Sequence, residues 1–264
     1  MHEEQADAIR EEVRNRYAAA ASAFAAGRQG GCCAPEPSGC GCATDPVPIG
    51  GTLYGEQEAA AIPAEALSAS LGCGSPTNWM DEVRPGESAL DLGSGGGADV
   101  LLLAQRLGED GFVYGLDMTD EMLALAEQNR RRAGARNVRF LKGRIESIPL
   151  PSGAVDWVVS NCVVNLSTDK PRVFAETFRV LGPGGRLVFA DMVFSREPTE
   201  TMRSNAAQWA GCIAGALTVE RYRAELEAAG FVDVRVEPLN SATSADAVSS
   251  ALIRARKPGR EPSR

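Results

Sequence analysis

Seven cysteines and a single histidine frame the chemistry open to this chain. Four thiols crowd together as Cys32, Cys33, Cys40 and Cys42, whereas Cys73, Cys162 and Cys212 stand far apart. Thiolates are soft ligands suited to soft, thiophilic centres, and a pair of them can deliver two electrons by forming a disulfide. The histidine is His2, at the very terminus, so a histidine general base or a mixed Cys/His metal site is almost excluded. Zinc competes for the N-terminal cluster, but its spacing lacks the C-x₂-C pairs of structural zinc sites. For any one of the three distant cysteines, burial as a small hydrophobe is the bland alternative. Spacing alone does not bring those three together.

A second constellation is glycine-rich. Asp91-Leu92-Gly93-Ser94-Gly95-Gly96-Gly97-Ala98 reads as a strand turning into a helix, and Asp117 ends the next apolar run. Glycines at such a turn let the backbone approach a ligand that a Cβ would obstruct, which makes Gly93, Ser94, Gly95 and Gly97 cofactor candidates. A carboxylate at Asp117 can accept both ribose hydroxyls of an adenosine. Gly93 to Ala98 also fits the dinucleotide fingerprint G-x-G-x-x-A. Asp91 argues for S-adenosyl-L-methionine instead: negative charge there suits an ammonium and a sulfonium and repels a pyrophosphate. The lack of a catalytic histidine points the same way.

The elements that must position these residues alternate strand and helix. Apolar runs at Ser88–Leu92, Phe112–Met118, Val138–Lys142, Val155–Asn161 and Arg186–Val193 are interleaved with helices at Asp99–Leu107, Thr119–Ala133 and Pro171–Leu181. Thr119 and Thr218 are placed to cap helices. Val232–Pro238 and Val248–Arg256 read as antiparallel-capable strands. This rhythm predicts an α/β fold, a doubly wound and mostly parallel sheet with ligands outside the carboxyl ends of its strands. Ahead of it, Ala6–Ala26 predicts a helix, Gly30–Gly51 a Cys-rich loop, and the region of Gln57 to Ser70 short helices. Gly72-Cys73-Gly74 reads as a flexible turn, and the charged tail from Lys257 as disordered.

Several segments resemble one family. SLGCG around Cys73, SNCVVNL around Cys162 and AGCIAGALT around Cys212 look like the three cysteine segments of arsenite S-adenosylmethionine methyltransferases. GLDMT at Asp117 and GRIESIP at Glu146 are similar to that family's cofactor segments, and the likeness runs from about Tyr54 to Val236. The resemblance implies a seven-stranded class I methyltransferase sheet of order 3-2-1-4-5-7-6 with the seventh strand antiparallel. It implies trivalent arsenic ligated by Cys73, Cys162 and Cys212, with Met118, Ile145 and Glu146 flanking adenine. The Asn161 and Cys162 backbone would help hold the methionine end. It further implies that cysteines return arsenic to the trivalent state by forming a disulfide. The family has one N-terminal cysteine for this task, whereas Cys32, Cys33, Cys40 and Cys42 offer four redox candidates.

Organisation follows from these readings: an N-terminal helix and Cys-rich segment over 1–75, a Rossmann-like cofactor core over 76–195, a part completing the arsenic site and sheet over 196–257, and a disordered tail over 258–264. The 27 basic against 35 acidic residues give a net charge of −8, which argues against nucleic acid as a partner. No apolar run is long enough for a bilayer, and acidic Glu3 and Glu4 do not suit a signal peptide. The chain therefore reads as cytoplasmic, away from membranes, and monomeric, with its cysteines as thiols rather than structural disulfides. Expected partners are arsenite and methylarsenite as thiol conjugates, with glutathione or thioredoxin as reductant. Two alternatives stay open: a small-molecule C- or O-methyltransferase with inert cysteines, and a thiol protein that binds arsenic or a soft metal without turnover.

Overall fold

Runs rich in Val, Leu and Ile that are buried on both faces can only be the interior of a sheet covered on two sides. In the computed structural model these runs form β1 (Ser88–Leu92), β2 (Phe112–Asp117), β3 (Val138–Lys142), β4 (Val155–Asn161) and β5 (Leu181–Phe194). A short β6 (Leu217–Thr218), then β7 (Val232–Pro238) and β8 (Val248–Arg256), join the same sheet. The structure describes residues 3–25, 54–198 except 69, 71, 73 and 81, then 209, 213–239 and 248–259.

Strand order is β3-β2-β1-β4-β5-β8-β7, with β6 pairing alongside β5. Once the two-residue β6 is set aside, this is the 3-2-1-4-5-7-6 order that the resemblance implies. Parallel registers run from Val113↔Val138 through Leu90↔Val158 to Val158↔Leu187, and β8 runs antiparallel to β5 and β7. Order reverses at β1, so the carboxyl ends of β1, β2 and β4 border the crevice where such sheets bind ligands.

The helices are α1 (Glu3–Ala25), α2 (Glu56–Ala61), α3 (Ala64–Ser68), α4 (Ala98–Leu107), α5 (Asp120–Arg132), α6 (Lys170–Val180) and α7 (Val219–Ala228). On one face, α6 and α7 pack Phe174 and Tyr222 against Phe189 of β5, with ring centroids 5.8 to 6.4 Å apart. On the other, Leu103 and Leu107 of α4 pack with Met80, Val113 and Val159. Thr218 caps α7 as expected, its hydroxyl accepting from Arg221 N at 3.3 Å. Thr119 holds the N-cap position of α5 as expected, but its side chain makes no capping bond; its N–H and hydroxyl both donate to Asp117 Oδ1, at 2.9 and 2.8 Å. A nearby buried carboxylate is the stronger acceptor, so the hydroxyl turns away from the helix.

The expected disordered tail begins too early. Lys257 N donates to Gly185 O, and its Nζ donates to Phe178 O and Leu181 O at 2.7 and 2.6 Å while standing 4.6 Å from the Phe178 ring. It thereby satisfies carbonyls at the end of α6 that have no intrahelical partner. Residues 260–264 lie outside the described residues. Lys257→Met should lower stability by about 1–2 kcal/mol, the worth of charge-assisted bonds to carbonyls left unpaired. An unchanged denaturant midpoint would show that the cap contributes nothing.

Candidate active site

The β1–α4 turn carries the glycine loop because only glycine adopts its backbone without strain. Gly93, Gly95 and Gly97 have φ of 72°, 49° and 85°. Around the turn lies a cavity of about 810 Å³, lined by Asp91, Gly93, Ser94 and Gly95 from the loop. Asp117 and Met118 from the end of β2, Ile145 and Glu146, and Asn161 and Cys162 from the end of β4 complete it. Gly97 was a cofactor candidate but does not line this cavity. A Cβ there would meet Phe140 Cζ at 2.9 Å, so its missing side chain serves helix–sheet packing.

The cavity floor is acidic. Burial raises the Asp91 carboxyl well above its usual range, with Asp99 and Asp117 repelling its charge. Burial likewise lifts Asp99 to about 6, against stabilising donation from Asn161 and Tyr54. Asp117 is raised by burial and held down by donors from Thr119 and from Gly95 N at 3.0 Å. Three carboxyl groups close together at one end of the cavity favour a ligand that brings positive charge there. Ser94 Oγ adds a buried hydroxyl with no partner among the described residues, at the cavity wall. Asp117 keeps acceptor capacity for a sugar hydroxyl, since three bonds do not exhaust a carboxylate. These residues fit a cofactor with cationic and adenosyl ends.

Cys162 sits where β4 ends, with φ of +57°, a left-handed conformation unusual for a residue with a Cβ. Its N–H donates to Ala190 O at 2.8 Å, which holds the turn against β5. Such strain concentrates at functional sites. Cys162 is disulfide-bonded. That is the oxidised form a redox-active thiol reaches, and it must be reduced before the sulfur can ligate anything. Cys32, Cys33, Cys40, Cys42, Cys73 and Cys212 lie outside the described residues.

The neighbours of two of these cysteines are described, and they converge on Cys162. Asn161 donates to Gly74 O at 2.6 Å and accepts from Gly74 N at 3.3 Å. A Cβ on Gly72 would come within 2.2 Å of the Asn161 amide, and one on Gly74 within 2.6 Å of Ala190 Cβ. The glycines beside Cys73 therefore permit close packing against the ends of β4 and β5. Trp209 and Ala214, either side of Cys212 in sequence, share an apolar cluster with Cys162 and Leu166.

Two contributors carry no motif. Asp99, in the first turn of α4, faces the cavity and takes Tyr54 and Asn161 as partners. Helix α1 forms the roof: Ile9 and Val13 pack on Cys162, Leu166 and Trp209, while Arg10, Arg14 and Tyr17 line the cavity. The i, i+4 apolar spacing of Ile9, Val13 and Tyr17 was the readable signal, but nothing in it names the surface it covers.

The chain matches the methyltransferase domain family over residues 84–230. It is 38% identical to an arsenite methyltransferase of Halobacterium salinarum over 96% of this chain and 67% of that one. It is 44% identical to the arsenite methyltransferase of Mus musculus over 48% of this chain and 36% of that one. Among solved structures, an arsenic(III) S-adenosylmethionine methyltransferase from Chlamydomonas reinhardtii superposes with a TM-score of 0.68 at 32% identity, covering 78% of this chain and 73% of that one. With its sheet order, acidic cofactor cavity and thiol-bearing turn, the chain belongs to the arsenite methyltransferase family of S-adenosylmethionine-dependent class I methyltransferases.

Proposed function

We infer that this protein methylates trivalent arsenic held by Cys73, Cys162 and Cys212, detoxifying arsenite to methylated arsenicals. The observation that carries this reading is the convergence of the neighbours of Cys73 and Cys212 on the Asn161–Leu166 turn beside the cofactor cavity. S-adenosyl-L-methionine supplies an electrophilic methyl group. Asp91 and Asp99 hold its charged end, and Asp117, Met118, Ile145 and Glu146 hold its adenosine. Three thiolates suit arsenic and not a carbon or oxygen acceptor. Arsenic attacks with its lone pair, so no general base is required, in keeping with a chain whose one histidine is terminal. When bound, the cofactor's sulfonium would give up its methyl group and keep the electron pair of that bond, which would leave arsenic formally pentavalent. Two thiolates then return two electrons as they form a disulfide, which glutathione or thioredoxin must reduce for the next cycle. A reducing cytoplasm suits such a cycle. Roof helix α1 and the packed turns keep water from the transfer and align arsenic with the methyl group.

Product analysis after incubation with arsenite, glutathione and S-adenosylmethionine tests this reading. Monomethyl and dimethyl arsenicals together with S-adenosylhomocysteine are the expected products. Arsenic binding without S-adenosylhomocysteine release would leave only a thiol buffer.

Cofactor affinity should depend on pH in a defined direction. Asp99 is raised to about 6, so it is ionised above that pH and neutral below it. A ligand bearing ammonium and sulfonium charges favours the ionised form. Affinity should therefore fall as pH drops through about 6, with a proton released on binding near the midpoint, and Asp91, also raised by burial in the same subsite, adds to that fall. Calorimetry in buffers of differing ionisation enthalpy reads both effects. Affinity that stays flat from about pH 8 to pH 5 would remove Asp99 from the cationic subsite.

The N-terminal thiols are assigned to redox recovery or to a relay that passes arsenic inward. Replacing Cys32, Cys33, Cys40 and Cys42 together with Ser should spare arsenic binding and slow repeated turnover, and strong reductant should restore part of the rate. Loss of arsenic binding in that variant would move the cluster into the primary site.

A further inference from the structure

Beneath the Cys162 turn lies a cluster of buried polar side chains that no step above uses. Asn165, three residues beyond Cys162, is fully buried and engaged at each of its polar atoms. Its N–H donates to Asp191 Oδ2 at 2.8 Å, and its Nδ2 donates to Met192 O at 2.8 Å. The Tyr222 hydroxyl donates to its Oδ1, and Lys170 Nζ donates to its carbonyl at 3.3 Å. Lys170 is itself only 6% exposed; it also donates to Ser167 O at 2.9 Å and stands 5.2 Å from the centre of the Trp209 ring. Burying an ammonium is costly unless its partners are well placed, so such a group marks a geometry that is closely held.

Trp209 lies three residues before Cys212 and Gly215 three after it. A Cβ on Gly215 would come within 1.9 Å of Asn165 O and 2.6 Å of the Trp209 ring. One flank of Cys212, at Gly215, therefore rests on Asn165, and Lys170 bonds the same Asn165 carbonyl while lying over Trp209 on the other flank. We propose that Lys170 and Asn165 are positioning residues of the arsenic site: the knot they form ties the Cys162 turn to both flanks of Cys212 and sets the separation of the two thiols. This rests on reading Cys162 and Cys212 as arsenic ligands. Methylarsenite, which needs two sulfur ligands, is the substrate most exposed to an error in that separation.

The test is single-turnover methyl transfer from S-adenosylmethionine to methylarsenite in the reduced full-length protein, with cofactor affinity and thermal midpoint measured alongside. Lys170→Met should slow transfer by about a hundredfold, the scale of an ångström misplacement of reacting groups, with cofactor affinity unchanged. Tyr222→Phe, which removes only the hydroxyl that donates to Asn165, should slow it by about tenfold, as expected when a buried amide oxygen loses its donor. Transfer at the parent rate in folded Lys170→Met overturns the proposal even if the thermal midpoint falls, because the knot is then only structural. If Lys170→Met does not fold, Tyr222→Phe decides, and the parent rate there overturns the proposal. Cys162→Ser is the companion control. If it also transfers at the parent rate, the thiol reading itself is wrong; if it is inactive while the other two match the parent, only the positioning role is lost.

Discussion

Cys162→Ser is expected to abolish methylation of arsenite and methylarsenite alike, with a loss on the order of a thousandfold or more, as when a group central to the chemistry is removed. Serine is nearly isosteric with cysteine, so the 5% exposed site should open no cavity. Its hydroxyl is a hard oxygen, protonated at neutral pH, and a poor ligand for a soft centre. Cys212→Ser should behave the same way, since Trp209 and Ala214 share the cluster of Cys162. Cys73→Ser should damage the first methylation more than the second. Arsenite can use three thiolates, whereas methylarsenite already has one carbon substituent and needs two. The measurement is the rate of monomethyl and dimethyl product formation for each variant, with cofactor binding checked separately. Methylarsenite turned over at the parent rate by Cys162→Ser would falsify the thiolate mechanism.

Asp117→Ala should weaken S-adenosylmethionine binding by about two orders of magnitude, close to 3 kcal/mol, and leave arsenite binding nearly intact. Two effects combine. Charge-assisted bonds to the ribose disappear, and the donors that Asp117 now satisfies lose their acceptor. Gly95 N and the Thr119 N–H and hydroxyl all converge on this carboxylate, so its removal also loosens the glycine loop from the end of β2. Calorimetric titration with cofactor and with arsenite separates the two ligands. Unchanged cofactor affinity would dismiss the ribose assignment.

Much of the fold was legible because it rests on local periodicity. Continuous apolar runs between glycine-punctuated helices favour a covered parallel sheet, and β1 to β4 appear where those runs stand, while β5 starts ahead of its run, at Leu181 in place of Arg186. Asp91 and Asp117 could be placed for the same reason: a carboxylate at the end of a strand lies at the ligand edge whatever the rest of the chain does. The partner of the Thr119 hydroxyl and the role of Lys257 were not legible because those partners are distant or compete with the local pattern. A capping preference is a weak local bias, and the buried Asp117 carboxylate outweighs it; the α6 carbonyls likewise draw in a lysine that reads as tail.

What the sequence by itself determined is the inventory: an acidic, glycine-rich cofactor turn, thiols in family-like segments, and no histidine base outside the terminus. Tertiary structure alone decided which of these meet. Gly72 and Gly74 are glycines because Asn161 and Ala190 occupy the space their side chains would need. Gly97 serves Phe140, and Asp99 joins the cavity because Tyr54 and Asn161 turn it inward. Helix α1 closes a site more than a hundred residues away in sequence through Ile9 and Val13. None of these is a property of a residue and its sequence neighbours. Each arises where chain folding brings two distant segments to one place, and close packing there leaves room for one arrangement.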